Sequence, residues 1–227
     1  TYSKNKNKVI KISDQQDELS IGAFPLSLVA KEGLPFGTFK GVVIDQTADG
    51  KTILDASGNP VLAKEEKYLG SYQPDFLAGL NNKVSYRGFT LGFLVDWKKG
   101  GKFYSYTKNL AEFNGTGLST LLNDRKPYII PGVVQQADGT YKENAKAISV
   151  YDYLLNLPDS KHLVDASYVK LREVTLSYNL SRSMCSKLKL NDITIGIFGK
   201  NLKFWLPEEN TWACLLYTSD AADERSS

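Results

Sequence analysis

Phe76-Leu-Ala-Gly-Leu-Asn-Asn-Lys-Val-Ser-Tyr86, Arg87-Gly88, then Phe89-Thr-Leu-Gly-Phe-Leu-Val-Asp-Trp97 carries the cleanest pattern in the chain. In the first segment Phe76, Ala78, Leu80, Val84 and Tyr86 share one parity, and Gly79, Asn81, Lys83 and Ser85 the other. Leu77 and Asn82 break the split. In the second, Phe89, Leu91, Phe93, Val95 and Trp97 alternate with Thr90, Gly92, Leu94, Asp96 and Lys98. A period of two over this length is a strand with one apolar and one polar face. Arg87-Gly88 between them makes a tight turn, so the pair is an antiparallel hairpin. Two environments fit an apolar face: the core of a β-sandwich, or lipid around a barrel with a wet lumen. Aromatic residues flank the turn (Tyr86, Phe89) and gather at the far end (Trp97, Phe103, Tyr104, Tyr106), with aliphatic residues between. That spacing matches the two aromatic girdles of a membrane barrel.

A second hairpin follows. Tyr168-Val-Lys-Leu-Arg-Glu-Val-Thr-Leu-Ser-Tyr-Asn-Leu180 and the run ending in Gly199-Lys-Asn-Leu-Lys-Phe-Trp205 are joined by the polar link 181–192. Val174, Leu176, Tyr178 and Leu180 share one parity, whereas Val169 and Leu171 lie on the other. The apolar set therefore changes face near Arg172-Glu173. A β-bulge does this; so does an outer strand end that rises clear of the membrane. Ile193, Ile195 and Ile197 alternate on the return strand. Four strands are expected, near 76–86, 89–104, 167–180 and 192–205, antiparallel in chain order.

The remainder is rich in turn signals. In 13–74 these include Gly22, Pro25, Gly33, Pro35, Gly37, Asp49-Gly50, Ser57-Gly58 and Asn59-Pro60, which reads as a long irregular loop. Gly41–Ile44 and Thr52–Leu54 are β-like, and Asp49-Gly50 would close a small hairpin between them. Residues 105–166 form a second long loop, with a short helix expected at Asp152–Asn156 and no evident cap. Such loops are unusual in compact domains and ordinary on the extracellular side of a barrel, whose periplasmic turns are short. Residues 1–12 read as a strand end running into solvent.

Composition is consistent with this. The 227 residues include 13 Tyr, 10 Phe, 3 Trp and 18 Gly, with one His and a formal charge of +3. Acids and bases are interspersed, so no basic tract points to nucleic acid. No segment has the 18 apolar residues of a membrane helix, which says nothing of strands. A single histidine leaves no zinc spacing. No phosphate loop or nucleophile elbow is present. Asp45, Asp49 and Asp55 read as turn acids rather than calcium ligands. His162, in a Ser/Lys/Asp context, reads as an exposed residue outside any site. Cys185 reads as passive. No catalytic, cofactor or metal residue is expected. Tyr104, Tyr106, Tyr128, Tyr151 and Tyr153 are candidates, as a group, for a sugar-stacking platform, with girdle or loop packing the alternative.

The two hairpins resemble the closing hairpins of the SusC/RagA family of TonB-dependent outer-membrane transporters. Gly70, Pro74-Asp75-Phe76, Gly79, Asn82, Tyr86, Gly88-Phe89 and Gly100-Gly101 also agree in spacing with that family around the first hairpin. The resemblance covers about residues 1–213 and implies an all-β fold: an open segment of an antiparallel transmembrane barrel with long extracellular loops. It implies a non-enzymatic importer of oligomeric nutrients, glycans or peptides, in the Gram-negative outer membrane. The implied partners are a SusD-like surface lipoprotein, TonB through an N-terminal region and plug, and outer-membrane lipid. Thr1-Tyr2-Ser3-Lys4 has no initiator Met and no signal core, so the chain is expected to be a piece of a longer protein. Cys214–Glu224 matches the translation of a common sequencing adapter, and 214–227 is read as such an artefact. The alternative function is a secreted, soluble β-sandwich module that binds carbohydrate.

Overall fold

The computed structural model describes residues 1–23, 25–187 and 189–210; the adapter-like stretch 214–227 lies outside them. The strands are β1 (Tyr2–Ser3), β2 (Glu18–Ala23), β3 (Ser27–Lys31), β4 (Thr38–Gly41), β5 (Ile53–Leu54), β6 (Lys67–Ser71), β7 (Phe76–Tyr86), β8 (Phe89–Lys99), β9 (Lys102–Tyr104), β10 (Tyr128–Ile129), β11 (Val133–Gln135), β12 (Tyr141–Glu143), β13 (Ala147–Ile148), β14 (Leu163–Asp165), β15 (Tyr168–Asn179) and β16 (Thr194–Trp205). The helices are α1 (Tyr106–Phe113), α2 (Val150–Leu155) and α3 (Arg182–Lys187). The fold is all-β and mostly antiparallel, and no sheet closes on itself among the described residues. The described residues divide into a wall unit (within 1–6, 73–101 and 165–208) and a loop unit (within 7–72, 102–164 and 209–210).

The wall is one sheet in the order β1-β7-β8-β15-β16. As expected, β7 pairs with β8 over its whole length, from Phe76↔Lys99 to Tyr86↔Phe89. Arg87 (φ 47°) and Gly88 (φ 87°) both take positive φ, the requirement of the two-residue turn that matches strand twist. The expected strand 89–104 ends instead at Lys99. Gly100 and Gly101, at φ 75° and 79°, turn the chain out of the ladder before β9. The last two strands run 168–179 and 194–205, close to expectation, and β1 adds a short edge through Tyr2↔Ala78.

The parity change in β15 is a bulge. Against β8, Leu171 pairs with Val95 and Glu173 with Leu94, so Arg172 is the extra residue. Against β16, Leu171 pairs with Lys203 and Glu173 with Lys200, so β16 carries one further residue at the same level, where Asn201 takes φ 53°. The bulged Leu202 folds over Gly199, whose Cβ, were there one, would stand 2.7 Å from Leu202 Cδ2. A side chain at 199 would require Leu202 to move.

The loop unit is more ordered than the turn signals suggest. Residues expected to be irregular form a four-stranded antiparallel sheet, β2-β3-β4-β6. The local reading missed it because its partners are brought together by chain reversal at Gly33 and Gly37 and by distant pairing such as Thr38↔Ser71. The small hairpin exists around Gly50, but its arms are 45–46 and 51–53: Gln46 bridges Thr52, and Ile53 N donates to Asp45 O at 3.0 Å. Ile44 pairs with Leu62 instead. β5 then lies parallel to β11, where Gly132 lets the backbones meet, since a Cβ there would stand 2.6 Å from Thr52 O. Helix α2 begins two residues earlier than expected and is capped by Ser149, whose side chain accepts from Asp152 N. Ser105 caps α1 in the same way through Lys108 N.

The two units differ in their interiors. Leu26, Val29, Ala30, Ile53, Leu54, Ile130, Val133, Val150 and Val164 form the buried apolar core of the loop unit; in the wall unit only Ala166 and Cys185 are buried apolar residues among those described. One prediction follows from the bulge. Deleting Arg172 within the full-length protein would turn Val169 and Leu171 onto the polar face. Refolding into detergent micelles should then fail, measured as loss of a protease-resistant strand region. Arg172→Ala keeps the residue count and should retain most of it.

Candidate functional site

The wall sheet presents two faces of different character. Register places Tyr86, Phe89 and Tyr178 in one row beside Ile195. The next rows hold Val84, Leu91, Leu176 and Ile197, then Asn82, Phe93, Val174 and Gly199, then Leu80, Val95, Leu171 and Lys203. The last row holds Ala78, Trp97, Val169 and Trp205. All of these side chains project to one face, because the bulge restores parity in β15.

This face is uncovered. Leu80, Val84, Tyr86 and Phe89 are exposed, as are Ile195, Ile197 and Trp205, and Ile197 reaches 72%. In water so large a contiguous apolar patch is untenable for a monomer. Aromatic rings gather at its two ends. Phe89 stacks on Tyr178 at 4.5 Å, while Phe76 meets Trp97 at 4.9 Å and Tyr2 at 5.5 Å. Phe103, Tyr104 and Tyr106, expected in the outer girdle, fall in the loop unit instead, because the glycine pair removes them from the ladder. From Phe89 to Trp97 the strand rises roughly 26 Å at about 3.3 Å per residue. Tilted by about 40°, this gives a band about 20 Å tall, close to the apolar belt of an outer-membrane barrel. Lys203 lies one row inside Trp205, from where its long stem can carry the ammonium outward. Asn82 interrupts the middle of the face.

The opposite face is polar. Its rows hold Gly79, Asp96, Lys170 and Phe204; Asn81, Leu94, Glu173 and Lys200; Lys83, Gly92, Thr175 and Phe198; and Ser85, Thr90, Ser177 and Gly196. The extra residue Arg172 pairs with Asp96. Lys170 is buried, with its ammonium 4.6 Å from the centre of the Phe204 ring. Thr90 and Ser85 share a hydrogen bond of 2.8 Å.

In the loop unit one expectation is overturned. His162 is buried rather than exposed. The 3-10 turn Asp159–His162 tucks the ring against Tyr104, 5.9 Å away, and its Nε2 lies 2.9 Å from Glu112 Oε2. Nδ1 faces Asn109 Nδ2 at 3.4 Å, so a proton on Nε2 satisfies both contacts. Ser119 Oγ donates to the other Glu112 oxygen at 2.8 Å. Burial pushes the Glu112 carboxyl up, but hydrogen bonds from His162 and Ser119 outweigh it and hold the group below its ordinary range. Fifty residues separate the partners, and no local signal links them. The network is closed to solvent and ties α1 to the turn.

Three of the five candidate tyrosines, Tyr104, Tyr151 and Tyr153, are engaged with their surroundings. Tyr104 donates to Asp159 Oδ1 at 2.9 Å, and burial followed by that bond raises its hydroxyl pKa. Tyr151 donates to Phe113 O at 2.6 Å, and burial raises Tyr153. No two of the five form a described ring pair. A cavity of about 250 Å³ is lined by Pro25, Lys40, Leu62 and Asp159, and another of about 340 Å³ by Val43, Ile44, Lys67 and Lys161. Neither is lined by any of the five. Asp49 and Asp55 act as turn acids, accepting from Thr47 Oγ1 and from the amides of Ser57 and Asn59. No group of His, Cys, Asp and Glu among the described residues could hold a metal. No described helix is long and apolar enough to cross a membrane.

No family model matches the chain. Among curated proteins it is similar to TonB-dependent receptor P3 of Formosa agariphila, 26% identical over 88% of this chain and 21% of the relative. It is similar also to TonB-dependent receptor P26 of the same organism, 23% identical over 89% of this chain and 22% of the relative. The chain thus spans about a fifth of the length of these relatives. Among solved structures it resembles the RagAB peptide importer in its closed-closed state (TM-score 0.59, 16% identity, 92% of this chain and 23% of that one). It resembles the open-open state equally (TM-score 0.60, 15% identity, the same coverage). These likenesses bear out the resemblance and the fold class read from the sequence, and the relatives are receptors and importers by name, not enzymes.

The Glu112 network yields a pH prediction. A carboxyl whose folded pKa is depressed stabilises the fold above its unfolded pKa, and that stabilisation is lost as pH falls through the folded value. In the full-length protein, hydrogen exchange of the α1 amides, corrected for intrinsic rates, should stay slow from pH 7 to about 5 and accelerate below about 4. Glu112→Gln should accelerate exchange already at pH 7, by about 1–3 kcal/mol of opening free energy, and flatten the acid response.

Proposed function

We propose that this chain forms part of the barrel wall of a TonB-dependent outer-membrane importer of oligomeric nutrients, glycans or peptides. The observation that carries the proposal is the uncovered apolar face, kept continuous across the stacked bulges and bounded by aromatic rings. Lipid is the environment that such a face fits, and the polar face, with Asp96, Arg172, Lys170, Glu173 and Lys200, fits a wet lumen. The similarity to proteins named TonB-dependent receptors and to the RagAB importer supports the same reading. In it, the full-length protein takes energy from TonB and works with a SusD-like surface lipoprotein over the pore. The transmembrane strands are β7, β8, β15 and β16. The link Arg87-Gly88 and the segment 181–192 lie in the periplasm, and residues 13–74 and 105–166 outside the cell. Substrate contacts belong to the long loops, where Tyr104, Tyr106, Tyr128, Tyr151 and Tyr153 shape the packing around them. A soluble sandwich would need a second sheet over Ile195, Ile197, Leu80 and Val84; none of the described residues supplies one.

Two tests follow. Phe93 sits midway between the aromatic rows, so Phe93→Arg in the full-length barrel should cost about 2–4 kcal/mol of folding stability in lipid. Thr90→Arg, on the polar face, should cost clearly less; equal and mild effects would mean that neither face meets lipid. Sidedness can be read from epitope tags in whole cells. A tag at Gly139, a positive-φ turn with open space around it, should be labelled, and one at Gly88 hidden. The reverse pattern would invert the topology.

A further inference from the structure

The connection between β15 and β16 is longer than a turn needs. It leaves the wall directly beyond the row Tyr86, Phe89 and Tyr178, where Leu180 N donates to Ile193 O at 2.9 Å. That row marks one edge of the apolar band, so the segment starts at the boundary between apolar and polar surroundings.

Backbone contacts hold the described residues of the segment. Met184 N and Cys185 N both donate to Ser181 O, at 2.9 and 3.0 Å. Cys185 is buried, with its sulfur 3.7 Å from Leu180 O, which holds α3 down onto the strand end. Lys189 takes φ 56° and ends the helix, and Leu190 N returns to Cys185 O at 3.0 Å. On this ordered frame Met184 and Leu190 are held outward, 50% and 53% exposed. Arg182, Lys187 and Lys189 are exposed beside them, and none has an ion-pair partner among the described residues. Asp192 is the one acid in the stretch. On a membrane surface the two outward apolar side chains would gain burial and the cations would complement phosphate.

We propose that the described residues of this link, 181–187 and 189–192, form an interfacial anchor that docks on anionic phospholipid headgroups of the periplasmic leaflet. Met184 and Leu190 enter the acyl boundary, and Arg182, Lys187 and Lys189 meet the phosphates. The anchor fixes the depth of the β15–β16 hairpin relative to the leaflet. This rests on the barrel reading given above, and the test separates the two.

Full-length protein carrying Cys185→Ser receives a single new cysteine, either Met184→Cys or Ile197→Cys, labelled with an environment-sensitive fluorophore. It is reconstituted into vesicles of phosphatidylcholine alone or mixed with phosphatidylglycerol, with brominated acyl chains as quencher. Ile197 reports on the wall, Met184 on the anchor. The expected result is quenching at both positions. At Met184 it should be about twofold or more stronger with phosphatidylglycerol. It should weaken when salt rises from about 0.1 to 1 M, as the screening length falls from about 10 to 3 Å. It should also weaken in the triple variant Arg182→Gln, Lys187→Gln, Lys189→Gln. Quenching at Ile197 with none at Met184 overturns the anchor and leaves the barrel standing. No quenching at Ile197 overturns the barrel reading and the anchor with it. Quenching at Met184 that ignores lipid charge and salt overturns the assignment to anionic headgroups.

Discussion

The wall depends on one constraint: the backbone ladder must stay paired while each strand keeps the same residues on the same face. In the proposed barrel, an unpaired N–H or C=O in hydrocarbon would have no water to turn to, so the strands could not separate to relieve a mismatch. A slip of one residue would exchange the faces. In the proposed barrel a slip of β8 would turn Asp96 and Lys98 toward lipid, one of β15 Lys170 and Glu173, and one of β16 Lys200, and each basic group near the midplane would cost about 2–4 kcal/mol. A few such groups outweigh the net stability of an ordinary domain, about 5–15 kcal/mol. Register is therefore held less by what the apolar face gains than by what the charges would lose.

The bulges satisfy this constraint locally. β15 has an odd insertion, Arg172, which restores parity between Leu171 and Val174. β16 has one residue more, so its own alternation runs unbroken through Ile195, Ile197, Gly199, Lys203 and Trp205. Leu202 then covers the gap left by Gly199. The loop unit meets a different constraint. It has water on its surface and a small apolar core of its own, so it needs specific buried partners to fix its turns. Glu112, His162 and Ser119 serve that end, and the burial of two ionisable groups is tolerable there because each polar atom is bonded.

Legibility followed the same division. In the wall, period-two alternation acts along one strand and is visible in sequence: Phe76 to Trp97 disclosed the hairpin, its turn and its faces. The change of parity at Arg172 disclosed the bulge, although choosing between a bulge and an emerging strand end required the register. The glycine pair Gly100-Gly101 was in view, but its consequence was not, because glycine permits positive φ without demanding it. In the loop unit the decisive contacts are non-local. Thr38 pairs with Ser71, Ile53 with Val133, and His162 with Glu112, and nothing near any of these residues names its partner. Turn-forming residues correctly marked where the chain reverses and gave no account of what it reverses toward. Shared chemistry put the candidate tyrosines in one group, whereas the hydroxyl partners of Tyr104 and Tyr151, Asp159 and Phe113 O, are set by tertiary packing.

Arg172 joins the two themes. The residue that restores the apolar face is itself a cation, and it pairs with Asp96 on the polar face. Next to it Lys170 is buried with its ammonium against Phe204, and one row on, Glu173 stands opposite Lys200. A bulge places its extra residue where the ladder is locally open, so a long guanidinium can lie along the sheet rather than stand away from it. An aliphatic residue at 172 would preserve parity and leave Asp96 without this partner beside a buried ammonium. The extra position therefore answers to two requirements at once, residue count for the apolar face and charge for the other, and arginine meets both.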